Sequence, residues 1–403
     1  MGRFTVMARK RVALVLLCFA LGGCGDFAFS GNPTTLHSRY SPLHPGASQN
    51  VTFTIEAEDP EAQGISEVRL YVYEYALTTG DNGLPQAVKR KDGQWGEVEV
   101  WDGPWVLQDN VFTGTYTHDG GFPDESYVAY IVRWSDQSGS SLAEQWVFAA
   151  GEWPFGKMPI PVLSNGPPGK RVNVCFVADA SYDQGNMTAG VRAMLDDVEE
   201  VIFDGFHTSN ALDDHQRRLW QFYYSPEITP LKDLQPLSDI PESVWDSPIA
   251  THPALVHKTN TTNYGTGPHF TLNGEEDPFG NKDPRVNVAV HEATHAIFGL
   301  ADEYTPGPPP YFELVDPSVP HHNVFKDPNP ANEPGWEALG KRKLVDGWWA
   351  HEPENPICLM KQTDSMHDLQ QTCIGRVRWY YEKLDAEGPD EVLKLVGKKN
   401  FNP

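Results

Sequence analysis

The chain has 403 residues, of which 39% are hydrophobic and 11% aromatic, with 35 Gly and 34 Pro. That is enough apolar material for two separate cores, and the Gly and Pro content favours loop-rich modules that contain β-structure. With 31 basic against 55 acidic residues, the formal net charge is −24. Such a surface repels polyanions, so we expect no nucleic-acid partner and no binding to anionic lipid through charge.

Residues 1–24 have the pattern of an export signal. The basic run R-K-R at 9–11 precedes an apolar run at 12–21 that is too short to span a bilayer. The apolar run ends in L-G-G-C, which resembles the bacterial lipoprotein cleavage box, with Cys24 as the residue that would carry the lipid. This predicts an exported bacterial lipoprotein held to a membrane by Cys24, at the outer membrane or cell surface. The alternative is an ordinary secretory signal that is cut nearby.

Residues 25–45 are rich in Gly, Ser and Pro, which predicts a tether. From 46 to 150 the pattern has the period of two that is typical of strands, and no helical pattern intervenes. Together these features predict an all-β, immunoglobulin-like sandwich. The strands are expected at 51–57, 68–75, 111–117, 127–134 and 142–148.

Three tryptophans of this segment are candidate binding residues, because they could stack on a sugar or a peptide: Trp95, Trp101 and Trp105. The alternative, which we favour, is that they fill the sandwich or its seam.

Residues 151–170 are rich in Pro and Gly and predict a linker. The next domain is expected at 171–390, followed by a tail at 391–403. Its apolar runs predict strands at 171–178, 219–224 and 254–257, and a helix at 186–204. Strands that alternate with helices indicate an α/β layer.

The stretch 283–304 reads DPRVNVAVHEATHAIFGLADEY. Asp283 followed by Pro284 is typical of a helix start, and Gly299 is a plausible stop because glycine tolerates the left-handed conformation. Apolar residues recur at helical spacing and are expected to face a core: Val286, Val290, Ala293 and Ile297.

Inside this predicted helix, His291 and His295 lie four residues apart, so their imidazoles project from one face and can share a metal ion. Glu292 points to the side of the pair and can reach a water held by the metal, as in a hydrolytic zinc site. The alternative is an amphipathic helix with two solvated histidines. The capped, largely apolar helix and the acidic pair that follows it favour the metal site.

A catalytic zinc site needs a third protein ligand and an open position. In the pattern H-E-x-x-H-x-x-G-x-x-H, the glycine turns the chain so that a later residue returns to the metal. Here Gly299 comes one residue later than in that pattern, and Asp302 stands three residues past it. Asp302 is therefore the predicted third ligand. Glu303 is the rival, and one of the two is expected to contact the site only indirectly.

The stretch 291–304 resembles the bacterial IgA-specific metallopeptidase family, whose members carry H-E-x-x-H followed by an L-A-D-E-Y run. The likeness extends to the segments 171–182 and 260–267 and to C-L-M at 358–360. The resemblance implies a zincin-type α/β metallopeptidase domain. Met360 resembles the methionine of the turn beneath the zinc in metzincins, which packs under the metal and is not a ligand. In zinc peptidases of this class the extended substrate lies along an edge strand beside the metal.

Of the five cysteines, Cys18 lies in the signal, Cys24 takes the lipid, and Cys175 is expected to be a buried packing residue. Cys358 and Cys373 remain, and they are predicted to form a disulfide in an oxidising compartment. A role of these two as zinc ligands is the weaker alternative.

The prediction from sequence is a lipid-anchored zinc endopeptidase with a protein or peptide substrate and Glu292 as general base. One alternative keeps the zinc hydrolase but gives it a cell-wall peptide as substrate. Another is a surface lipoprotein that binds a glycan or a protein and has a structural or inactive zinc site.

Overall fold

The structure, a computed structural model, describes these residues: 36–58, 65–81, 83–88, 96–101, 103–108, 111–137, 141–166, 171–183, 185–207, 219–230, 240–247, 249–259, 263–275, 285–303, 322–325, 327, 340–344, 347–351, 358–360, 369 and 371–388. The predicted signal with its lipidation residue Cys24, the tail at 391–403 and the helix start at Asp283 and Pro284 lie outside them.

The protein is multidomain and rich in β-sheet. One compact unit runs to Phe155 and includes Leu163–Pro167, and the other comprises Gly156–Val162 and the chain from Pro168 onward. The division falls within the segment 151–170 that was predicted as a linker. In the part of the chain that the structure describes, no helix is long and apolar enough to cross a bilayer.

The first unit contains, among its described residues, the strands β1 (Leu36–Ser41), β2 (Val51–Glu58), β3 (Ile65–Thr79), β4 (Pro85–Val88), β5 (Gly96–Trp101), β6 (Val106–Gln108), β7 (Val111–His118), β8 (Ser126–Asp136) and β9 (Ser141–Ala150). They form two sheets. One has the order β1-β2-β7-β6; the other has the order β4-β3-β8-β9, with β5 also paired to β3. Every strand pair is antiparallel.

The two sheets of this unit meet through buried aromatic side chains. Tyr40 of β1 stacks on Phe148 of β9 with ring centroids 4.0 Å apart. Phe53 of β2 meets Tyr130 of β8 edge-on at 5.3 Å. All five strands predicted in this segment are confirmed, because β2, β3, β7, β8 and β9 cover the predicted ranges. The immunoglobulin-like type of the sandwich stays a prediction.

Strand β1 corrects the predicted tether at 25–45. Leu36, Ser38 and Tyr40 are buried and alternate with more exposed residues, and the strand pairs with β2. The tether prediction was wrong from residue 36 onward, because the Ser and Pro content hid a short run with the period of two.

Trp101 and Trp105 pack inside the first unit. A side chain at Gly114 of β7 would collide with both indole rings, so the absence of a Cβ there makes room for them. The two ring centroids lie 4.7 Å apart, and Trp101 also contacts Tyr116. This agrees with the packing alternative for these two residues; Trp95 lies outside the described residues.

The second unit contains, among its described residues, the strands β10 (Ile160–Leu163, of which Leu163 is assigned to the first unit), β11 (Val172–Asp179), β12 (Trp220–Thr229), β13 (His252–His257), β14 (Gly265–Thr266), β15 (His269–Asn273), β16 (Val324–Phe325), β17 (Lys341–Lys343) and β18 (Trp349–His351). Its helices are α1 (Met187–Glu200), which continues as a π-helical segment at Val201–Phe206, α2 (Glu242–Trp245), α3 (Arg285–Phe298) and α4 (Gln371–Glu387).

The main sheet of this unit has the order β10-β12-β11-β13-β15-β14. The strands β12, β11, β13 and β15 run parallel, and β14 is antiparallel to β15. Parallel strands are buried on both faces, which explains why every residue of β11 and β13 is buried. The helix α1 packs on β11 and β12, and α3 packs on β15 and β14.

The predicted strands and the predicted helix of this unit are confirmed, with ends that differ by a few residues. The strands were predicted at 171–178, 219–224 and 254–257, and the helix at 186–204. Strand β10 corrects part of the predicted linker at 151–170, since its I-P-V-L run is buried and joins the end of the sheet beside β12. Proline is tolerated in a strand at a sheet edge, where its missing N–H disrupts little.

Candidate metal centre

The helix α3 carries the H-E-x-x-H motif, and nearly all of its residues are buried. Gly299 follows it with φ +65°, and the Leu300 N–H reaches back to the Thr294 carbonyl oxygen over 3.4 Å. This is a glycine-ended helix of the predicted kind. The turn sends residues 300–303 back along the helix toward the two histidines.

Three side chains meet beside this turn: His291, His295 and Asp302. The Nε2 atoms of the two imidazoles are 3.1 Å apart, and each lies 3.2 Å from Oδ1 of Asp302. Ligand atoms about 2.0–2.1 Å from a tetrahedral metal ion are about 3.3 Å from one another. The spacing of these three atoms therefore fits a single ion, and they form a group that can bind a metal.

The backbone fixes which nitrogen of each imidazole carries the proton. His291 Nδ1 donates to the Leu359 carbonyl oxygen at 3.1 Å, and His295 Nδ1 donates to the Leu300 carbonyl oxygen at 2.6 Å. A carbonyl oxygen only accepts, so both Nδ1 atoms bear hydrogen and both Nε2 atoms of the neutral rings present lone pairs. Two lone pairs and a carboxylate oxygen then face one point, which suits a cation.

Asp302 is only 2% exposed. Burial by itself would raise the pKa of its carboxyl, but positive charge on the imidazoles of His295 and His291, with the hydrogen bonds that the charged rings would donate, holds that pKa well below its ordinary value; a bound cation would take the place of those protons. The carboxylate is therefore ionised and able to act as a ligand.

Glu303 points elsewhere. Its Oε1 accepts hydrogen bonds from Asn323 Nδ2 at 3.0 Å and from the Cys373 thiol at 3.1 Å. Its backbone N–H donates to the Met360 carbonyl oxygen at 2.8 Å. In residues 300–303, the segment called the strap below, the structure thus brings Asp302 to the histidines and turns Glu303 to the opposite side.

The disulfide predicted between Cys358 and Cys373 is absent. Both thiols are free and buried, with Sγ atoms 3.7 Å apart, whereas a disulfide needs about 2.0 Å. Burial, then Cys358 and Glu303, raise the pKa of the Cys373 thiol well above its ordinary value. The physical reason for the correction is that the Cys373 thiol donates to Glu303. These two sulfurs and the Glu303 carboxylate form a second group of ligand-type atoms.

The segment 358–360 lies under the centre. The Leu359 carbonyl oxygen orients His291, and the Thr294 hydroxyl lies 2.8 Å from the sulfur of Met360, which is fully buried. Met360 therefore has a packing position next to the helix, as the resemblance to metzincins implies, and it is not among the candidate ligands.

Glu292 lies in the same helical turn as His291 and is 9% exposed. Strand β14 crosses the helix at this turn, where a side chain at Gly265 would collide with the Glu292 carbonyl oxygen and come within 3.0 Å of His295 Cβ. Since β14 stands at one end of the described sheet, an edge strand passes beside the histidines.

Sequence reasoning missed three residues that hold the centre: Asn323, Arg342 and Arg376. Asn323 bonds to the backbone of Ala301, Arg342 donates to the Glu303 carbonyl oxygen, and Arg376 Nε donates to the Phe298 carbonyl oxygen at 2.7 Å. No local pattern marks them, because their partners are backbone groups of distant residues.

Comparisons with known proteins add little. No family model and no curated protein matches the chain. The sporulation control protein Spo0M from Bacillus subtilis is similar at 10% identity and TM-score 0.22, over 31% of this chain and 51% of that chain. A conjugative transposon lipoprotein from Bacteroides eggerthii is similar at 14% identity and TM-score 0.18, over 29% of this chain and 98% of that chain. Scores this low carry no argument, so the resemblance to the IgA-specific metallopeptidases rests on the sequence motifs alone.

Proposed function

We propose that the protein is a zinc-dependent endopeptidase and that its second unit is a zincin-type metallopeptidase domain. The observation that carries the proposal is the convergence of His291 Nε2, His295 Nε2 and Asp302 Oδ1 within 3.2 Å of one another. Zinc suits this donor set, because two imidazoles and one carboxylate are the ligands of a well-known class of hydrolytic zinc sites. Three protein ligands leave a fourth position for water.

Glu292 is the proposed general base. A bound zinc would act as a Lewis acid toward a water and the scissile carbonyl. Glu292 takes the proton of the attacking water and later gives it to the departing amine, so the peptide C–N bond breaks as a C–O bond forms. His291 and His295 keep their proton on Nδ1 throughout, because a backbone carbonyl oxygen accepts it in each case.

Strand β14 offers a place for an extended peptide. It lies at one end of the described sheet and passes beside Glu292 and His295. A peptide that paired with such an edge would bring its backbone carbonyls to the ligands without a demand for particular side chains. We therefore propose a protein or peptide substrate; a cell-wall peptide would fit the same chemistry.

The test is hydrolysis of a peptide library, read by mass spectrometry, with metal analysis of the same preparations. Wild type should bind one zinc per chain and cleave peptides until a chelator is added. Glu292→Gln should keep the zinc, since it removes no ligand, and should lose activity by about 10²–10⁴-fold, the usual contribution of a general base.

His295→Ala is the matched control, since it should lose both the zinc and the activity. Equal cleavage by wild type and Glu292→Gln would sink the proposal. A fourth protein ligand in the position expected for water would favour a structural site instead.

In the surface-binding alternative, tryptophans of the first unit would stack on a sugar or a peptide. Trp101 and Trp105 cover Gly114 within that unit, which gives them a packing role and weakens the case for a sugar platform. Export and lipid attachment at Cys24 remain part of the proposal, on the sequence of residues 1–24 alone.

A further inference from the structure

Asn323 contacts the strap that carries the third candidate ligand. It lies 22 positions after Ala301 in the chain and its side chain is buried, at 1% exposure. Its Oδ1 accepts from the Ala301 N–H at 3.0 Å, and its Nδ2 donates to the Ala301 carbonyl oxygen at 2.7 Å. The backbone of Ala301 thus settles which end of the amide is nitrogen, because the N–H must meet oxygen and the carbonyl must meet N–H.

The same amide also reaches the residue on the other side of Asp302. Asn323 Nδ2 donates to Glu303 Oε1 at 3.0 Å. One side chain therefore holds both neighbours of Asp302, the backbone of Ala301 and the carboxylate of Glu303. The bond to Glu303 also keeps the second carboxylate of the acidic pair away from the imidazoles.

The three candidate ligands depend on different supports. His291 and His295 are carried by the helix α3, and each is oriented by a backbone carbonyl oxygen, of Leu359 and Leu300 respectively. Asp302 lies past the end of that helix, in a segment with no helical or strand ladder of its own. Its position depends on the bonds made by the residues that flank it.

We propose that Asn323 is a positioning residue for the metal centre, which sets the location of the Asp302 carboxylate and selects Asp302 over Glu303 as the third ligand. The inference rests on the proposed metal site. Partners that orient a ligand from outside the coordination shell typically change metal affinity by about 10–100-fold when they are removed.

The experiment measures zinc affinity by competition with a chelating dye, together with the visible absorption of the cobalt-substituted protein. Asn323→Ala should weaken zinc binding about 10–100-fold and change the cobalt spectrum, because the carboxylate no longer sits at bonding distance. Asn323→Asp keeps the side-chain volume and the acceptor for Ala301, so it leaves no cavity, and circular dichroism checks that it folds. It should also weaken zinc binding, since it loses both donated bonds and sets a carboxylate beside Glu303.

Asn273→Ala is the matched control. Asn273 is also buried, and its side chain makes two backbone bonds, to the Thr259 carbonyl oxygen and from the Glu275 N–H. If Asn323 acts through Asp302, both alanine variants should lose thermal stability in the metal-free state, but only the one at 323 should change zinc affinity and the cobalt spectrum.

Zinc affinity and cobalt absorption of Asn323→Asp equal to those of wild type would overturn the inference. So would an equal loss of affinity in Asn273→Ala, which would point to general destabilisation. A wild-type protein that binds zinc but hydrolyses no peptide would refute the proposed peptidase and leave the role of Asn323 standing.

Discussion

At the scale of single residues, the centre is defined by the different contacts of Asp302 and Glu303. The two are neighbours in sequence, yet Asp302 Oδ1 lies 3.2 Å from both imidazoles while Glu303 Oε1 bonds to Asn323 and Cys373. A one-residue step along an irregular strap turns the side chain to the other side. If the strap shifted by one residue, the Glu303 carboxylate would lie beside the two imidazoles.

The pair gives a direct test. Asp302→Ala should weaken zinc binding by more than about 100-fold, beyond the range for groups outside the coordination shell. Glu303→Gln keeps an acceptor for Asn323 and Cys373 and should change the affinity by less than about 10-fold. Titration with a chelating dye measures both values. The reverse ranking would make Glu303 the ligand.

At the scale of elements, α3 is held at both ends and in the middle. Arg285 at its start donates to the Gly274 carbonyl oxygen at 2.7 Å and to Glu200 at 2.9 Å. Arg376 of α4 donates to the carbonyl oxygen of Phe298, the last residue of α3. Strand β14 lies against the middle, at Gly265. A helix fixed in this way keeps its two imidazoles in register.

Gly265 is the position of β14 at which an added side chain would collide with α3. Gly265→Ala places a methyl group into backbone of the helix, and such overpacking costs about 1–3 kcal/mol. For a unit of this size the melting temperature should fall by about 5 °C. Calorimetry of the second unit's transition measures the change.

Gly267→Ala is the neighbouring control. There the closest atom to an added Cβ is the Ala296 carbonyl oxygen at 3.1 Å, so a small shift accommodates it. A loss of stability in Gly267→Ala as large as that in Gly265→Ala would show that the loss of a glycine from this segment, and not the close approach of Gly265 to Glu292, sets the cost.

At the scale of the whole molecule, each unit has a buried core of its own. Aromatic side chains such as Tyr40, Phe53 and Phe148 fill the first, and the apolar strands β11 and β13 with α3 fill the second. The candidate metal centre belongs entirely to the second unit. A ligand that binds only the folded state stabilises the unit that binds it.

Scanning calorimetry should therefore show two transitions, and zinc should move only one of them. Free zinc at 100 times its dissociation constant adds about 2.7 kcal/mol, which raises the melting temperature of the second unit by roughly 5–10 °C. A chelator should reverse the shift. Equal movement of both transitions would mean that the units unfold together or that zinc binds outside the candidate centre.

The sequence by itself determined the local features: the β-rich first unit, the helix with its two histidines and the glycine at its end. These follow from periodicity and from the backbone preferences of glycine, which act over a few residues. It also limited the third candidate ligand to Asp302 or Glu303, because a turn after Gly299 can return only a few positions to the helix.

Only the tertiary structure decided between those two carboxylates and identified the groups that orient them. Asn323, Arg376 and the Leu359 carbonyl oxygen reach the centre from distant parts of the chain. The same holds for strand β1, which lies in the predicted tether, and for Cys373, which bonds to Glu303 where a disulfide was predicted. Contacts between distant residues leave no periodic trace in the sequence, because any buried donor can satisfy a backbone carbonyl oxygen.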